Sequence, residues 1–240
     1  MTTALVIGFG PFPGAPQNPG AELVRRLAKL RRPLLADARI VTAILPTSYA
    51  AVNEELPALL DKHDPDAVLF FGLASRTPFV RIEQRAVNKA TGFYADASRT
   101  KYATRSLAPG LPPELRVRAD ARRLLSVARA ARIDARLSRD AGRYICNAAF
   151  YRALHMHPRL VAFVHIPRPR KRRRLDGKRG RRRPSMDALV HAGGAILSAV
   201  VAQARRRGTV SRAIDMSTSS SGPRLALAQS ARLAGTRRRS

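Results

Sequence analysis

The chain has 240 residues, of which 45% are hydrophobic, and a formal net charge of +29 at pH 7, with one cysteine and no tryptophan. This length holds enough apolar material for one large α/β domain or two small ones. A single cysteine excludes an intramolecular disulfide, a CxxC redox pair and a cysteine-rich zinc site.

Apolar runs and helical periodicities alternate along the chain, with an irregular stretch at 91–118. In chain order, the pattern predicts strand Ala4–Gly8, helix Glu22–Leu30, strand Ile40–Leu45, helix Tyr49–His63, strand Ala67–Gly72, strand or hairpin arm Phe79–Asn88, helix Asp120–Ala131, strand Ile133–Leu137, helix Asn147–His155, strand Leu160–Ile166 and helix Pro184–Arg207.

Strands separated by helices are typical of an α/β fold, here a single three-layer α/β/α sandwich with a mostly parallel central sheet. We expect one domain over residues 1–208, because no boundary appears before that point. The start of the chain lacks a basic segment before its short apolar run, so it predicts a strand and not a signal peptide. With no run of about 18 apolar residues to span a membrane, the prediction is a soluble cytoplasmic protein without membrane contact.

The positive charge is concentrated in two segments. Residues 168–183 hold 11 basic residues and one acid and predict an exposed loop, while residues 205–240 hold nine and one. From residue 209 onward the composition predicts a disordered basic tail. Such segments attract polyanions nonspecifically, although a merely solvated charge run has the same composition.

The single cysteine, Cys146, follows a glycine-containing turn and opens or directly precedes a helix. The helix dipole and the free N–H groups there favour a thiolate and can stabilise an oxyanion. The alternative is an inert buried thiol, since cysteine is among the most commonly buried residues.

A nucleophilic cysteine needs a base and a group that orients the base. Of the five histidines, His165 is the one at the carboxyl end of an apolar strand, which is where sites of such sheets lie. Glu83 is an acid in a partly apolar strand, and the alternative for it is a plain salt bridge to Arg81 or Arg85.

In order, the segments from about residue 4 to 204 resemble pyroglutamyl peptidase I, a family of cysteine peptidases. The most specific pieces are Ala141-Gly142-x-Tyr144-Ile145-Cys146-Asn147 and Phe163-Val164-His165-Ile166-Pro167. The other pieces are Gly8-Phe9-Gly10-Pro11-Phe12, Asn18-Pro19, Leu45-Pro46-Thr47, Pro65-Asp66-Ala67-Val68, Gly72-Leu73-Ala74, Glu83 with Ala86 and Asn88, Phe150-Tyr151 and Pro184-Ser185-Met186.

The resemblance implies a triad of Cys146, His165 and Glu83 that hydrolyses the amide bond after an N-terminal pyroglutamyl residue of peptides through an acyl-thioester. It implies no metal and no cofactor, and an apolar pocket for the lactam ring. By position, the lining residues would be Phe9, Phe12, Thr47, Leu73, Tyr144 and Ile145.

The chain departs from the family pattern at several positions. Gln84 stands where the family usually has Arg, Leu73 where a Gln is common and Tyr144 where a Phe is usual. The Ile-Pro-Asp-Asn-x-Gly stretch of the family is not recognisable in 89–97. The alternatives are therefore the same scaffold acting weakly or on a related amide, and a basic polyanion-binding protein. Self-association is a further expectation from the family.

Overall fold

The computed structural model describes residues 1–157, 159–170 and 183–219, with side chains as far as residue 208. In this part of the chain, the strands are β1 Thr2–Phe9, β2 Ala38–Leu45, β3 Ala67–Leu73, β4 Val80–Glu83, β5 Arg85–Val87, β6 Glu114–Arg116, β7 Ala135–Ser138 and β8 Leu160–Ile166. The α-helices are α1 Pro19–Ala28, α2 Tyr49–His63, α3 Ala121–Ala130, α4 Ile145–Met156 and α5 Met186–Ser219, with a 3₁₀ turn at Pro33–Leu35.

Six strands form the main sheet in the order β2-β1-β3-β8-β4-β7. The first four are mutually parallel, whereas β4 runs antiparallel to β8 and parallel to β7. The predicted mostly parallel sheet is therefore confirmed, with a reversed pair of strands at one edge. The reversal brings β4 directly beside β8, so residues of both strands can meet in one site.

Helices cover both faces of the sheet. Side chains of α1, α3 and α5 pack on one face, and those of α2 and α4 pack on the other. Strands β3 and β8 are buried along almost their whole length, as expected for the middle of a parallel sheet. This arrangement confirms the predicted three-layer α/β/α sandwich.

Side-chain caps fix the start of three helices. Asn18 accepts a hydrogen bond from Gly20 N before α1, Ser48 from Ala51 N before α2 and Asp120 from Arg123 N before α3. By contrast, Tyr144 before α4 provides no side-chain cap. The first-turn amides of α4 therefore receive no such bond from the capping residue.

The predicted element Phe79–Asn88 divides into two strands at Gln84. β4 lies in the main sheet, and β5 pairs with β6, a strand in the stretch predicted to be irregular. Gln84 N donates to Ser138 O, and Gln84 O accepts from Val117 N. Gln84 thus marks the crossing between the two sheets, which makes Glu83 the last residue of β4.

Helix α5 differs most from its prediction. It begins at Met186 and continues to Ser219, so residues 209–219 are helical where the sequence predicted the start of a disordered tail. The rest of that tail, 220–240, and residues 171–182 of the basic loop lie outside the described residues. The chain divides into compact units Met1–Arg205 and Arg206–Ser240, and the predicted domain limit at residue 208 stays a prediction.

One helical stretch, Met186–Gly208, is apolar and long enough to cross a membrane by composition alone, with a mean hydropathy of 1.3. Within this stretch, 61% of the apolar window is buried inside the fold. Leu189, Ile196 and Val200 belong to the core on the α1 face of the sheet. The stretch therefore packs as a core helix of a globular protein.

Candidate active site

Cys146 is the second residue of α4, and its side chain is partly exposed. The thiol lies over Gly72 of β3, where an added Cβ would stand 2.9 Å from Cys146 Sγ. Glycine is thus required beneath the thiol by close approach.

His165 lies near the carboxyl end of β8 and is 4% exposed. Its neighbours across the sheet are Gly72 on β3 and Arg81 on β4. His165 Nδ1 lies 2.8 Å from Oε1 of Glu83, whose side chain is fully buried. Because an ionised carboxylate can only accept, Nδ1 is the donor and Nε2 remains for the thiol.

The ring of His165 is held in its charged form by its two neighbours. Burial lowers the pKa of His165, but hydrogen bonds and Coulombic attraction from Cys146 and Glu83 outweigh it and raise the pKa to about 9. The three predicted triad side chains are therefore in one interacting series. Such a series can generate a thiolate and supply a proton to a leaving group.

The six predicted pocket residues occupy different environments. Phe12, Leu73 and Tyr144 are partly exposed, and the Phe12 and Tyr144 rings lie 6.2 Å apart. Phe9 and Ile145 are buried in the core, where Phe9 stacks on Phe70 and Phe163. Thr47 is buried and donates its hydroxyl to Gly10 O at 2.8 Å. A direct role in lining a pocket stays a prediction for all six.

Asp96 is a buried residue that the sequence reasoning missed. Its carboxylate accepts hydrogen bonds from the backbone N–H groups of Tyr49, Ser98 and Thr100 at 2.9–3.0 Å. It thereby fastens the loop around residue 96 to the start of α2. No local pattern marked Asp96, and its bond to Tyr49 N joins segments 47 residues apart in sequence.

The same loop holds Tyr144. Burial raises the pKa of Tyr144 to about 12, so its hydroxyl stays protonated and donates to Ala95 O at 2.8 Å. On the other side of Asp96, Ala97 N donates to Thr47 O. The loop therefore fixes two of the predicted pocket residues.

Asn147 connects helix α4, which carries Cys146, to the segment that follows Glu83. Its Oδ1 accepts from Val87 N, and its Nδ2 donates to Val87 O and Lys89 O. The side chain thus replaces a strand partner for this segment. The Cys146-Asn147 pair in the family motif was the available signal for this role.

A cavity of about 290 Å³ lies elsewhere, between α2 and α4. None of the three triad side chains lines it. Among the described residues there is also no group of three side chains suited to hold a metal ion. The geometry of the triad, and not cavity size, locates the candidate site.

Comparisons with known proteins show which family the chain resembles. A family profile described as Pyroglutamyl peptidase matches residues 2–205. A pyrrolidone-carboxylate peptidase of Thermococcus kodakarensis is 32% identical over 168 residues, which cover 68% of this chain and 80% of that protein. One of Deinococcus radiodurans is 33% identical over 173 residues, covering 70% and 78%.

The fold is also similar to solved structures. Pyroglutamyl peptidase I of Bacillus amyloliquefaciens superposes with a TM-score of 0.73 at 25% identity, covering 84% of this chain and 98% of that one. A mutant pyrrolidone carboxyl peptidase from Pyrococcus furiosus gives 0.75 at 24% identity, covering 85% and 100%. At that identity the second likeness concerns the fold alone.

Proposed function

The chain belongs to the pyroglutamyl peptidase family, and we propose on this premise that Cys146, His165 and Glu83 are its catalytic residues. The chain is a cysteine-type peptidase that removes N-terminal pyroglutamate from peptides. The observation that carries the assignment of residues is the 2.8 Å contact between His165 Nδ1 and the buried Glu83 Oε1.

In the acylation half, the Cys146 sulfur attacks the pyroglutamyl carbonyl carbon as a thiolate. The C–S bond forms while the carbonyl oxygen takes up negative charge beside the first-turn amides of α4. His165 then donates its Nε2 proton to the departing amine as the C–N bond breaks. The products are a shortened peptide and an acyl-thioester on Cys146.

In the deacylation half, His165 is neutral and takes a proton from water. The hydroxide attacks the thioester carbon, the C–S bond breaks, and pyroglutamate leaves with the thiolate–imidazolium pair restored. Glu83 keeps the ring oriented and stabilises the imidazolium in both halves. The proton balance therefore closes on His165.

The lactam ring is proposed to lie between Phe12, Leu73 and Tyr144, the three partly exposed members of the predicted pocket. Phe9 and Ile145 support this surface from the core, and Thr47 fixes the turn through Gly10. Apolar contact suits the methylenes of the ring, and main-chain groups suit its amide edge.

A chromogenic pyroglutamyl-anilide tests the proposal. We expect the wild type to release the anilide, and Cys146→Ala to lose at least about 10³-fold in kcat/KM, as when a nucleophile is removed. Prolyl-anilide, which lacks the lactam carbonyl, is the substrate control. Turnover that survives in Cys146→Ala would overturn the assignment, and release from another acyl group only would favour a related amide.

The proposal also includes contacts of the chain outside the active site. The net charge of +29 supports nonspecific contact with polyanions through the loop 168–183 and the tail 209–240. Deleting residues 220–240 is expected to reduce the salt-dependent part of polyanion binding, measured by titration with salt. Self-association of the chain and a cytoplasmic location are likewise proposed, and sedimentation and cell fractionation test them.

A further inference from the structure

The carboxylate of Glu83 has a second partner besides His165. Glu83 Oε1 lies 2.8 Å from His165 Nδ1 and 3.0 Å from Arg81 Nη2. The other oxygen, Oε2, is buried without a hydrogen-bond partner. All the polar contact that compensates this fully buried carboxylate therefore converges on one oxygen.

Full burial favours the protonated form of a carboxylate unless cations or hydrogen bonds compensate it. Here the two compensating groups differ in one respect. His165 gives up its proton during acylation, whereas an arginine keeps its charge at every pH of interest. Arg81 is thus the permanent positive charge beside Glu83 when the ring is neutral.

The position of Arg81 is itself fixed by the reversed strands. Arg81 and Glu83 are two residues apart on β4, so their side chains share one face of the sheet. The guanidinium donates to Ser138 Oγ through Nε at 3.2 Å and Nη2 at 2.9 Å, and also to Asp140 O. Its side chain is 21% exposed, so solvent screens it only in part.

The described titratable and charged groups around the pair are few. Cys146 approaches His165 from α4, and Arg81 approaches Glu83 along β4. Asp140, in the turn after β7, directs its carboxylate to Gly142 N at 2.9 Å. The sequence left open whether Arg81 or Arg85 forms a salt bridge with Glu83. Arg81 forms it, whereas Arg85 pairs with Glu114 on β6.

We propose that Arg81 is a positioning residue of this peptidase, which keeps Glu83 ionised through the proton-transfer cycle and holds Oε1 toward His165 Nδ1. The proposal rests on the proposed triad. Arg81 touches neither the sulfur nor the substrate in this role; it acts through Glu83. Loss of its charge is therefore expected to lower kcat with little change in KM.

The matched variants are Arg81→Met, Arg81→Lys and Arg85→Met. Arg85→Met removes an ion pair of similar exposure, 32%, that does not contact the triad. We expect Arg81→Met to lower kcat about 10- to 100-fold, as for a misoriented catalytic group, and to move the acidic limb of the kcat profile to higher pH. Arg81→Lys restores most of kcat, and Arg85→Met leaves both constants unchanged.

A second readout needs no substrate. Because the chain has one cysteine, the rate of iodoacetamide alkylation reports Cys146 alone. We expect Arg81→Met to be alkylated about tenfold more slowly than wild type at pH 6, since a neutral Glu83 no longer supports the thiolate–imidazolium pair. Arg81→Lys is expected to react at nearly the wild-type rate.

The outcomes separate the two proposals. Alkylation of a folded Arg81→Met protein at the wild-type rate across pH overturns the role of Arg81, whatever the peptidase assay gives. If the wild type turns over no pyroglutamyl substrate but is still alkylated faster than Arg81→Met, the peptidase proposal is overturned and the role of Arg81 is retained. If Arg81→Met does not fold, Ser138→Ala takes its place, and an unchanged alkylation profile there counts against the proposal.

Discussion

The four parallel strands and the reversed edge pair contribute differently to the site. β1 and β3 carry no charged residue, and His165 is the titratable residue of β8. The short β4, by contrast, carries both Arg81 and Glu83. In the proposed site, the parallel half therefore positions the groups that react, and the reversed pair provides the charges beside them.

The difference follows from strand direction. In parallel sheets, the groups that bind ligands lie at the carboxyl ends of strands, beyond the apolar interior. β4 runs the other way, so it places an ion pair beside the interior of β8. Burying the Glu83 carboxylate there carries a large desolvation penalty, and its contacts with the cations Arg81 and His165 compensate it.

The largest expected effect comes from neutralising Glu83, the acidic residue of the reversed edge pair. Glu83→Gln keeps the shape of the side chain, and we expect kcat/KM to fall about 10²- to 10⁴-fold because the imidazolium loses its partner and its orientation. Steady-state kinetics measure this, with Arg85→Met as the control. A loss of kcat/KM below tenfold would mean that Cys146 and His165 function without the charge of Glu83.

The next largest effect is expected from adding a methyl group at Gly72, in the parallel part of the sheet. In Gly72→Ala the new Cβ would stand 2.9 Å from both Cys146 Sγ and the Phe163 ring, so the thiol must shift. We expect kcat to fall about 10- to 100-fold and stability to fall by about 1–3 kcal/mol from overpacking. Denaturant melts and kinetics check this. Gly208→Ala, in helix α5 with open space around its Cβ, is the control: kcat should be unchanged and stability should not fall.

Titration tests the coupling between the two halves. Since the pKa of His165 is raised to about 9, the imidazolium is present below that pH and is lost above it. We therefore expect kcat/KM to fall about tenfold per pH unit above about pH 9. The same ion pair contributes stability that is fully present below pH 6.5 and disappears as the pH rises through about 9. A limb that stays in place in Glu83→Gln would contradict the coupling.

The smallest expected effect lies outside both halves, in the loop held by Asp96. Asp96→Ala leaves three backbone N–H groups without their acceptor, which costs about 1–3 kcal/mol. We expect KM to rise roughly threefold to tenfold with kcat nearly unchanged, as for loss of uniform binding. Asp96→Asn retains one acceptor oxygen and should lie between the two. A fall in kcat alone would place the loop in the chemical step.

The sequence predicted the parallel half well because its signals are local. Strand Leu160–Ile166 and helix Tyr49–His63 were predicted at their observed bounds, since unbroken apolar runs and helical spacing identify them. Cys146 and His165 stood out because each lies where an element starts or ends. The family resemblance then supplied a role for Glu83.

The remaining features depend on contacts between distant segments. The pairing of Arg81 with Glu83, and not of Arg85, follows from the crossing at Gln84, which no local pattern signals. Asp96 lies in a stretch without periodicity, and its importance comes from burial at 1% exposure. The helical run to Ser219 was missed because its composition lacks sustained apolar spacing.

The lone, partly exposed thiol of Cys146 has a consequence for oxidative damage. A partly exposed thiol can be oxidised to a sulfenic acid, and this chain has no second cysteine to resolve that product as an internal disulfide. Recovery therefore depends on a thiol from outside the molecule. The residue proposed as the nucleophile thus makes the working life of the peptidase depend on the reducing capacity of its surroundings.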